Sequence, residues 1–231
     1  MQETMRCTLV VMLFLRYSGS LAFERPCVMY VTPMGWVNER PEELVRTAKE
    51  AAKGGAACIQ IRDSAGDLSC IPKNLGCPFI VNGFALSEAL KCGADGYHFK
   101  EKSLSAESLA AAREALGSQC VIGASAHSVD SVLKAATLGV DYVQIGTMFP
   151  TLSHPEKSEF EGPRLISAAR SALDAHFNGK QPLLIGVGGI DTSNCADVIR
   201  AGADGVAVIR AIALSDHPKD VVSHLRSSMM F

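Results

Sequence analysis

The amino-acid sequence predicts a (β/α)8 barrel, a closed parallel sheet ringed by helices. Three observations carry that expectation: a glycine-ended phrase that recurs four times, apolar runs that number eight, and helical patterns between most of them. In the phrase, a helical stretch ends in glycine, and a small residue, often Asp, leads into an apolar run. Its copies are Gly55-Ala56-Ala57-Cys58-Ile59, Gly93-Ala94-Asp95-Gly96-Tyr97, Gly139-Val140-Asp141-Tyr142-Val143 and Gly202-Ala203-Asp204-Gly205-Val206. Glycine suits the left-handed position that closes a helix, and a two-residue link then feeds straight into a buried strand. Each copy therefore reads as an αβ loop.

In chain order, strands are expected at 28–32, 58–62, 79–82, 97–99, 121–125, 142–145, 183–186 and 206–209. Helical patterns cover 41–53, which starts with Pro41 at N1, then the alanine-rich 105–116, then 128–138, 164–175 and 192–201. Continuous apolar runs alternating with helices call for a parallel sheet buried on both faces. Eight such units in about 200 residues suit closure into a TIM barrel better than an open sheet. One connection is abbreviated: 63–78 holds Gly66, Pro72, Gly76 and Pro78, which leaves no room for a full helix. Either the barrel has an irregular second βα connection, or the chain has lost a segment there through deletion or a mispredicted exon.

With 231 residues, 48% of them hydrophobic, the chain can fill one sizeable core, so 26–231 is expected to be one domain. A net charge of -2 offers no electrostatic reason for a nucleic-acid or membrane-surface partner. A small-molecule partner is expected, and a homo-oligomer is compatible with this composition. The eight cysteines form no C-x-x-C pair and read as mostly buried thiols, with Cys58 and Cys120 inside apolar runs. Only Cys70 and Cys77 lie close enough in a loop to raise the question of a disulfide. Residues 1–25 stand apart. Arg6 precedes an apolar stretch over 7–15, and small residues over 18–22 precede Phe23, which reads either as a signal-like segment or as an extra helix across the barrel's bottom. The stretch is too short to span a bilayer. Its Ala22-Phe23 junction resembles the cleavage site of plastid-routing signals, although no basic, serine-rich region follows. Plastid or secretory routing is thus the expectation for a signal, and the cytoplasm for a helix.

In barrels of this class the reacting groups sit at the carboxyl ends of the strands. Those ends are polar here: Gln60 and Arg62, Asn82, His98, Ser125 and His127, Gly146 and Thr151, Gly188 and Gly189, and Arg210. Gly188 and Gly189 lack a Cβ, so backbone N–H groups there can approach an anion, and a helix starting near Thr192 would add its positive end. With the loop after the last strand they form an expected phosphate cup, although the same glycines would also serve a tight turn. Gln60 and Arg62 alternate with Ile61 and so share a face. An Arg in a barrel mouth requires an anion, either a ligand or a structural partner such as Asp63 or Glu88. His127 opens the next helix, where a near-neutral imidazole suits proton transfer.

Taken in order and spacing, Gln60-Ile61-Arg62, Val81-Asn82, Gly123-x-Ser125-x-His127, the run from Asp141 to Gly146 with Phe149-Pro150-Thr151, and Gly186-x-Gly188-Gly189-Ile190 followed by 201–208 resemble the thiamine-phosphate synthase/TenI family. The resemblance covers about residues 27 to 215. The synthase joins a hydroxymethylpyrimidine diphosphate to a thiazole phosphate and expels Mg2+-bound pyrophosphate. By position, the resemblance implies that Gln60, Arg62, Asn82 and Ser125 handle the pyrimidine or its diphosphate. Gly188, Gly189, Ile209 and Arg210 would hold the thiazole phosphate, with Gly146, Thr151 and Ser153 near the join.

Several positions depart from the synthase pattern, and all concern the diphosphate. The family's Lys after the strand-two Arg is Ser64, the metal-binding Asp after the strand-three Asn is Gly83, and the strand-four acidic loop is Lys100-Glu101-Lys102-Ser103. The Thr-x-Thr-Lys of the strand-six loop is Thr151-Leu152-Ser153-His154. The tautomerase branch shifts a proton on a carboxythiazole phosphate and needs no metal. His127 holds that branch's histidine position, and Ser103-Leu104 resembles its loop. The first expectation is therefore a TenI-like tautomerase with His127 as acid/base and no resident metal. The second is a synthase that uses Mg2+ on substitute ligands such as Glu101 and Glu88, and the third is a non-catalytic binder of thiazole phosphate or thiamine phosphate.

Overall fold

The computed structural model describes residues 23–151 and 160–231. Eight parallel strands close into a barrel in the order of the chain: β1 Cys27–Val31, β2 Cys58–Arg62, β3 Phe79–Asn82, β4 Gly96–Phe99, β5 Val121–Ala126, β6 Tyr142–Ile145, β7 Leu183–Val187 and β8 Gly205–Val208. Around them run α1 Trp36–Glu39, α2 Pro41–Lys53, α3 Leu86–Cys92, α4 Ala106–Leu116, α5 Val129–Leu138, α6 Gly162–His176, α7 Cys195–Arg200, α8 Arg210–Ala213 and α9 Pro218–Ser228. The expected fold class holds, as does the short second connection: between β2 and β3 the chain makes only a single 3-10 turn, Leu68–Cys70. Among the described residues no helix is long and apolar enough to cross a membrane.

Local sequence explains the helices. In α2, Pro41 fills N1, Glu42 and Glu43 sit at the positive end of the helix, Lys53 sits at the other, and Leu44, Thr47, Ala48 and Ala51 bury one stripe. Ser105 and Ser128 are not helical residues but caps. Each accepts from the backbone three residues on, and Ser108 and Ser131 reciprocate in capping boxes. The glycines of the repeated phrase all take positive φ, at 93° for Gly55, 73° for Gly93, 85° for Gly139 and 104° for Gly202. The Asp in three of the copies has its own task. The carboxylates of Asp95, Asp141 and Asp204 accept from the backbone N–H of Phe79, Ile122 and Leu184, at 3.0, 2.8 and 2.9 Å, which ties each αβ loop to the neighbouring strand. Arg113 completes the Asp141 site at 2.7 Å, and Arg170 and Arg25 complete the Asp204 site at 2.5 and 2.8 Å.

The interior is apolar toward the amino ends of the strands, where Phe23, Cys27, Cys58 and Val121 belong to one buried cluster. Phe23 thus already packs with the barrel, while residues 1–22, and with them most of the signal-like segment, lie outside the described residues. Cys27, Cys58, Cys70, Cys77, Cys92, Cys120 and Cys195 are all free thiols, the loop pair Cys70 and Cys77 included. Burial, helped by the Asp95 charge, pushes the Cys77 thiol up to about 12, so it does not ionise near neutrality.

Candidate active site

At the carboxyl ends of the strands the barrel opens into a cavity of about 300 Å3. Its walls include Gln60, Arg62, Asn82, Ser125, His127, Gly146 and Thr151, and on the far side Gly188, Gly189, Ile209 and Arg210. The structure therefore brings together every site residue expected from sequence that lies among the described residues. Ser153 and His154 fall outside them. Strand alternation explains the convergence, because residues two apart on a strand share the inward face.

The glycine wall follows β7. Gly188 and Gly189 have φ of 100° and 64°, and a Cβ on Gly189 would lie 2.6 Å from the Phe149 carbonyl oxygen. Gly188, Gly189 and Ile209 line the cavity, and their N–H groups donate no hydrogen bond among the described residues, so they remain available to an anion. The helix expected from Thr192 starts only at Cys195 and is 6 residues long. A capped turn over 192–194 leads into it: the Asp191 carboxylate accepts from the Ser193 N–H at 2.8 Å, the Asp191 N–H donates to Asn194 Oδ1 at 3.0 Å, and the Asp191 carbonyl accepts from the Cys195 N–H at 3.0 Å. From the same turn the Asn194 amide donates to the Gly189 carbonyl at 2.9 Å and steadies the glycine loop.

On the β2 side, Gln60 Oε1 accepts from Gln144 Nε2 at 2.7 Å. Its Nε2 has no hydrogen-bond partner although the residue is only 1% exposed, an orphaned donor on a residue of the cavity wall. The Arg62 guanidinium is half-buried and makes no ion pair among the described residues; burial lowers its pKa while the Asp63 charge opposes that shift. Neither structural partner considered for it is used. The Asp63 carboxylate accepts from the backbone of Gly35 and Ser64, both at 2.9 Å, and Glu88 faces Lys91 at 3.9 Å on α3.

Beneath the cavity lies a polar chain in which sequence reasoning assigned no role to His98. His98 Nε2 is 2.9 Å from Ser125 Oγ, and its Nδ1 is 3.0 Å from the Tyr142 hydroxyl, which in turn reaches Gln60 Oε1 at 3.4 Å. The only sequence signal was its place at a strand end. Burial, and then the Arg62 charge, push the His98 imidazole down to about 3. In the unfolded chain the ring takes up a proton near 6.5, so between 6.5 and 3 the unfolded state binds more protons and stability falls on acidification. The slope from this one group reaches about 1.4 kcal/mol per pH unit. Urea unfolding at pH 7 and pH 4.5 is expected to show a loss for the wild type that exceeds the loss for His98→Asn. Equal losses would mean that the ring is not held neutral.

His127 Nδ1 lies 2.6 Å from Glu101 Oε2, an imidazole–carboxylate pair at the rim. The magnesium ion implied by the resemblance does not fit these residues. Gly83 has φ 94°, and a Cβ there would overlap the Asp63 carbonyl oxygen, so the backbone leaves no space for the family's carboxylate. Asp63 is committed to backbone N–H groups, Glu101 to His127 and Glu88 to Lys91, so the substitute ligands do not converge. Among the described residues no group of three His, Cys, Asp or Glu could hold a metal, whereas a hard divalent ion needs several oxygen ligands.

Comparison with known proteins follows the same line. A family model described as thiamine monophosphate synthase matches residues 28–212. The thiamine-phosphate synthase of Listeria monocytogenes is 34% identical over 199 residues, covering 80% of this chain and 88% of the relative. That of Geobacillus thermodenitrificans is 33% identical over 220 residues, covering 89% and 93%. Among solved structures, a thiamine phosphate pyrophosphorylase from Pyrococcus furiosus superposes with a TM-score of 0.68 at 23% identity, over 88% of this chain and 95% of that one. A 3-hexulose-6-phosphate synthase superposes nearly as well, at 0.67 and 17% identity, over 88% and 99%. At such identity the superpositions establish the barrel rather than the chemistry.

Proposed function

Because the chain belongs to the thiamine monophosphate synthase family, we propose that it is a transferase of thiamine biosynthesis that couples two small phosphorylated substrates in this cavity. A thiazole phosphate would rest on the open backbone of Gly188, Gly189 and Ile209. A hydroxymethylpyrimidine diphosphate would lie over Gln60, Ser125 and Arg62. The thiazole nitrogen attacks the pyrimidine methylene carbon, the bond from that carbon to the diphosphate oxygen breaks, and pyrophosphate leaves with the electron pair. No proton moves in this step, so positioning and charge stabilisation carry it. The observation behind the reading is that one cavity is lined by Arg62, which makes no ion pair among the described residues, by Gln60 with its orphaned amide, and by the glycines Gly188 and Gly189.

The His127–Glu101 pair favours a second reading, in which the imidazole removes and returns a proton on a carboxythiazole phosphate, as in a tautomerase. Purified protein assayed for both reactions separates the two. Formation of thiamine phosphate that persists within about threefold in His127→Ala is the result expected of the synthase, since that step needs no acid/base group. Tautomerisation alone, lost in His127→Ala, would replace it with the second reading. Calorimetric binding of thiazole phosphate without turnover of either kind would leave a non-catalytic binder.

A further inference from the structure

Three consecutive strand tips bring cationic and amide side chains to one side of the mouth. Arg62 pairs in register with Asn82, and Asn82 with His98, so the ends of β2, β3 and β4 stand on one rung. Lys100 follows β4 by one residue and lines the cavity beside Arg62 and Asn82. The glycine cup belongs to β7 and β8, which lie across the ring from β3 and β4 in a barrel of eight strands closed in sequence order.

Arg62 and Lys100 make no ion pair among the described residues. Among the described residues of the cavity wall the one carboxylate is Asp63, and each of its oxygens accepts from a backbone N–H. Of the neighbouring acids, Glu101 is turned to His127 and Glu88 to Lys91. Among the described wall residues on this side, two cations, Arg62 and Lys100, stand against one carboxylate, Asp63, so the balance is one positive charge, which favours an anion over a divalent cation. A half-buried guanidinium without a partner is also costly until an anion meets it, and its planar fork matches phosphate oxygens two at a time.

We infer that the diphosphate subsite opposite the glycine cup works without a divalent ion, and that Arg62 and Lys100 grip the diphosphate there directly. Lys100 supplies the positive charge that a metal would otherwise bring, and Gly83 is the backbone position that excludes the metal's carboxylate. The inference rests on the coupling reaction proposed above, because it assigns the diphosphate of that reaction to this subsite.

Calorimetric titration of the full chain with inorganic pyrophosphate, in EDTA and in excess magnesium chloride, tests it. Binding is expected in EDTA and is expected to weaken in magnesium, which competes for the ligand. Lys100→Gln is expected to weaken pyrophosphate binding about tenfold or more, and Lys100→Arg to restore most of it. Binding that appears only with magnesium, or that is unchanged in Lys100→Gln, would overturn the inference. A parallel assay of thiamine phosphate formation keeps the two readings apart. Turnover that needs magnesium, together with no pyrophosphate binding in EDTA, removes the metal-free subsite and leaves the coupling reaction standing. Pyrophosphate bound in EDTA through Lys100 without turnover of any substrate keeps the subsite and removes the reaction.

Discussion

Replacing Gly189 with alanine is expected to cut affinity for thiazole phosphate by at least about a hundredfold. Two causes add. At φ 64° a side chain is strained, at about 1 kcal/mol. Its Cβ would also sit 2.5 Å from the Pro150 carbonyl oxygen and 2.6 Å from that of Phe149, and because these are backbone atoms the glycine loop itself must move. Moving it misdirects the N–H groups of Gly188 and Gly189, and a hydrogen bond to a charged ligand contributes about 1.5–3 kcal/mol. Two such bonds lost correspond to about 3–6 kcal/mol, or about two to four powers of ten in Kd. Isothermal calorimetry of wild type and variant with thiazole phosphate decides the matter. An affinity within about threefold of wild type would show that the phosphate is held elsewhere.

Gly123→Ala is expected to be strongly destabilising, by a single methyl group placed in the barrel interior. Gly123 sits opposite Tyr142 in the β5–β6 register, and a Cβ there would occupy the space of the Tyr142 ring. Tyr142 is fully buried, so the ring cannot swing outward, and overpacking of this kind costs about 3 kcal/mol. For a chain of this size that lowers Tm by about 6–12 °C. Gly179→Ala is the control, since a Cβ there meets nothing within 4 Å and is expected to leave Tm within about 2 °C. If the two variants melt together, the ring has room that the barrel packing denies it. The damage should also reach the site, because a displaced Tyr142 releases His98 and with it Ser125.

The contrast between Gly123 and His98 marks how far sequence reasoning carries. Strands β2, β3 and β6 were legible to the residue, because a run buried on both faces and bounded by glycine or polar residues has one reading. The positive-φ glycines were legible for the same local reason. His98, Tyr142 and Gln60 are joined across 44 and 82 positions of the chain, and nothing local links them until the closed register does. The regular helix α7 begins three residues later than expected because 192–194 form a capped turn ahead of it, a boundary that periodicity over 192–201 does not resolve. The segments α1, α8 and α9 are short or lie beyond the last strand, and no apolar run follows them to announce a crossover. The candidate site residues were legible as a set because strand ends converge in any such barrel. The partners of Arg62, Glu101 and Glu88 were not, since which charge meets which depends on loop geometry.

The carboxylates of Asp95, Asp141 and Asp204 stitch strands together at the rim remote from the cavity. Cohesion of the ring and affinity for ligands are thus vested in opposite ends of one scaffold. The charges at the mouth, Lys100 among them, and the short link after β2 therefore leave untouched the stitches that keep the ring closed, so substitutions there can retune what the barrel holds without loosening it.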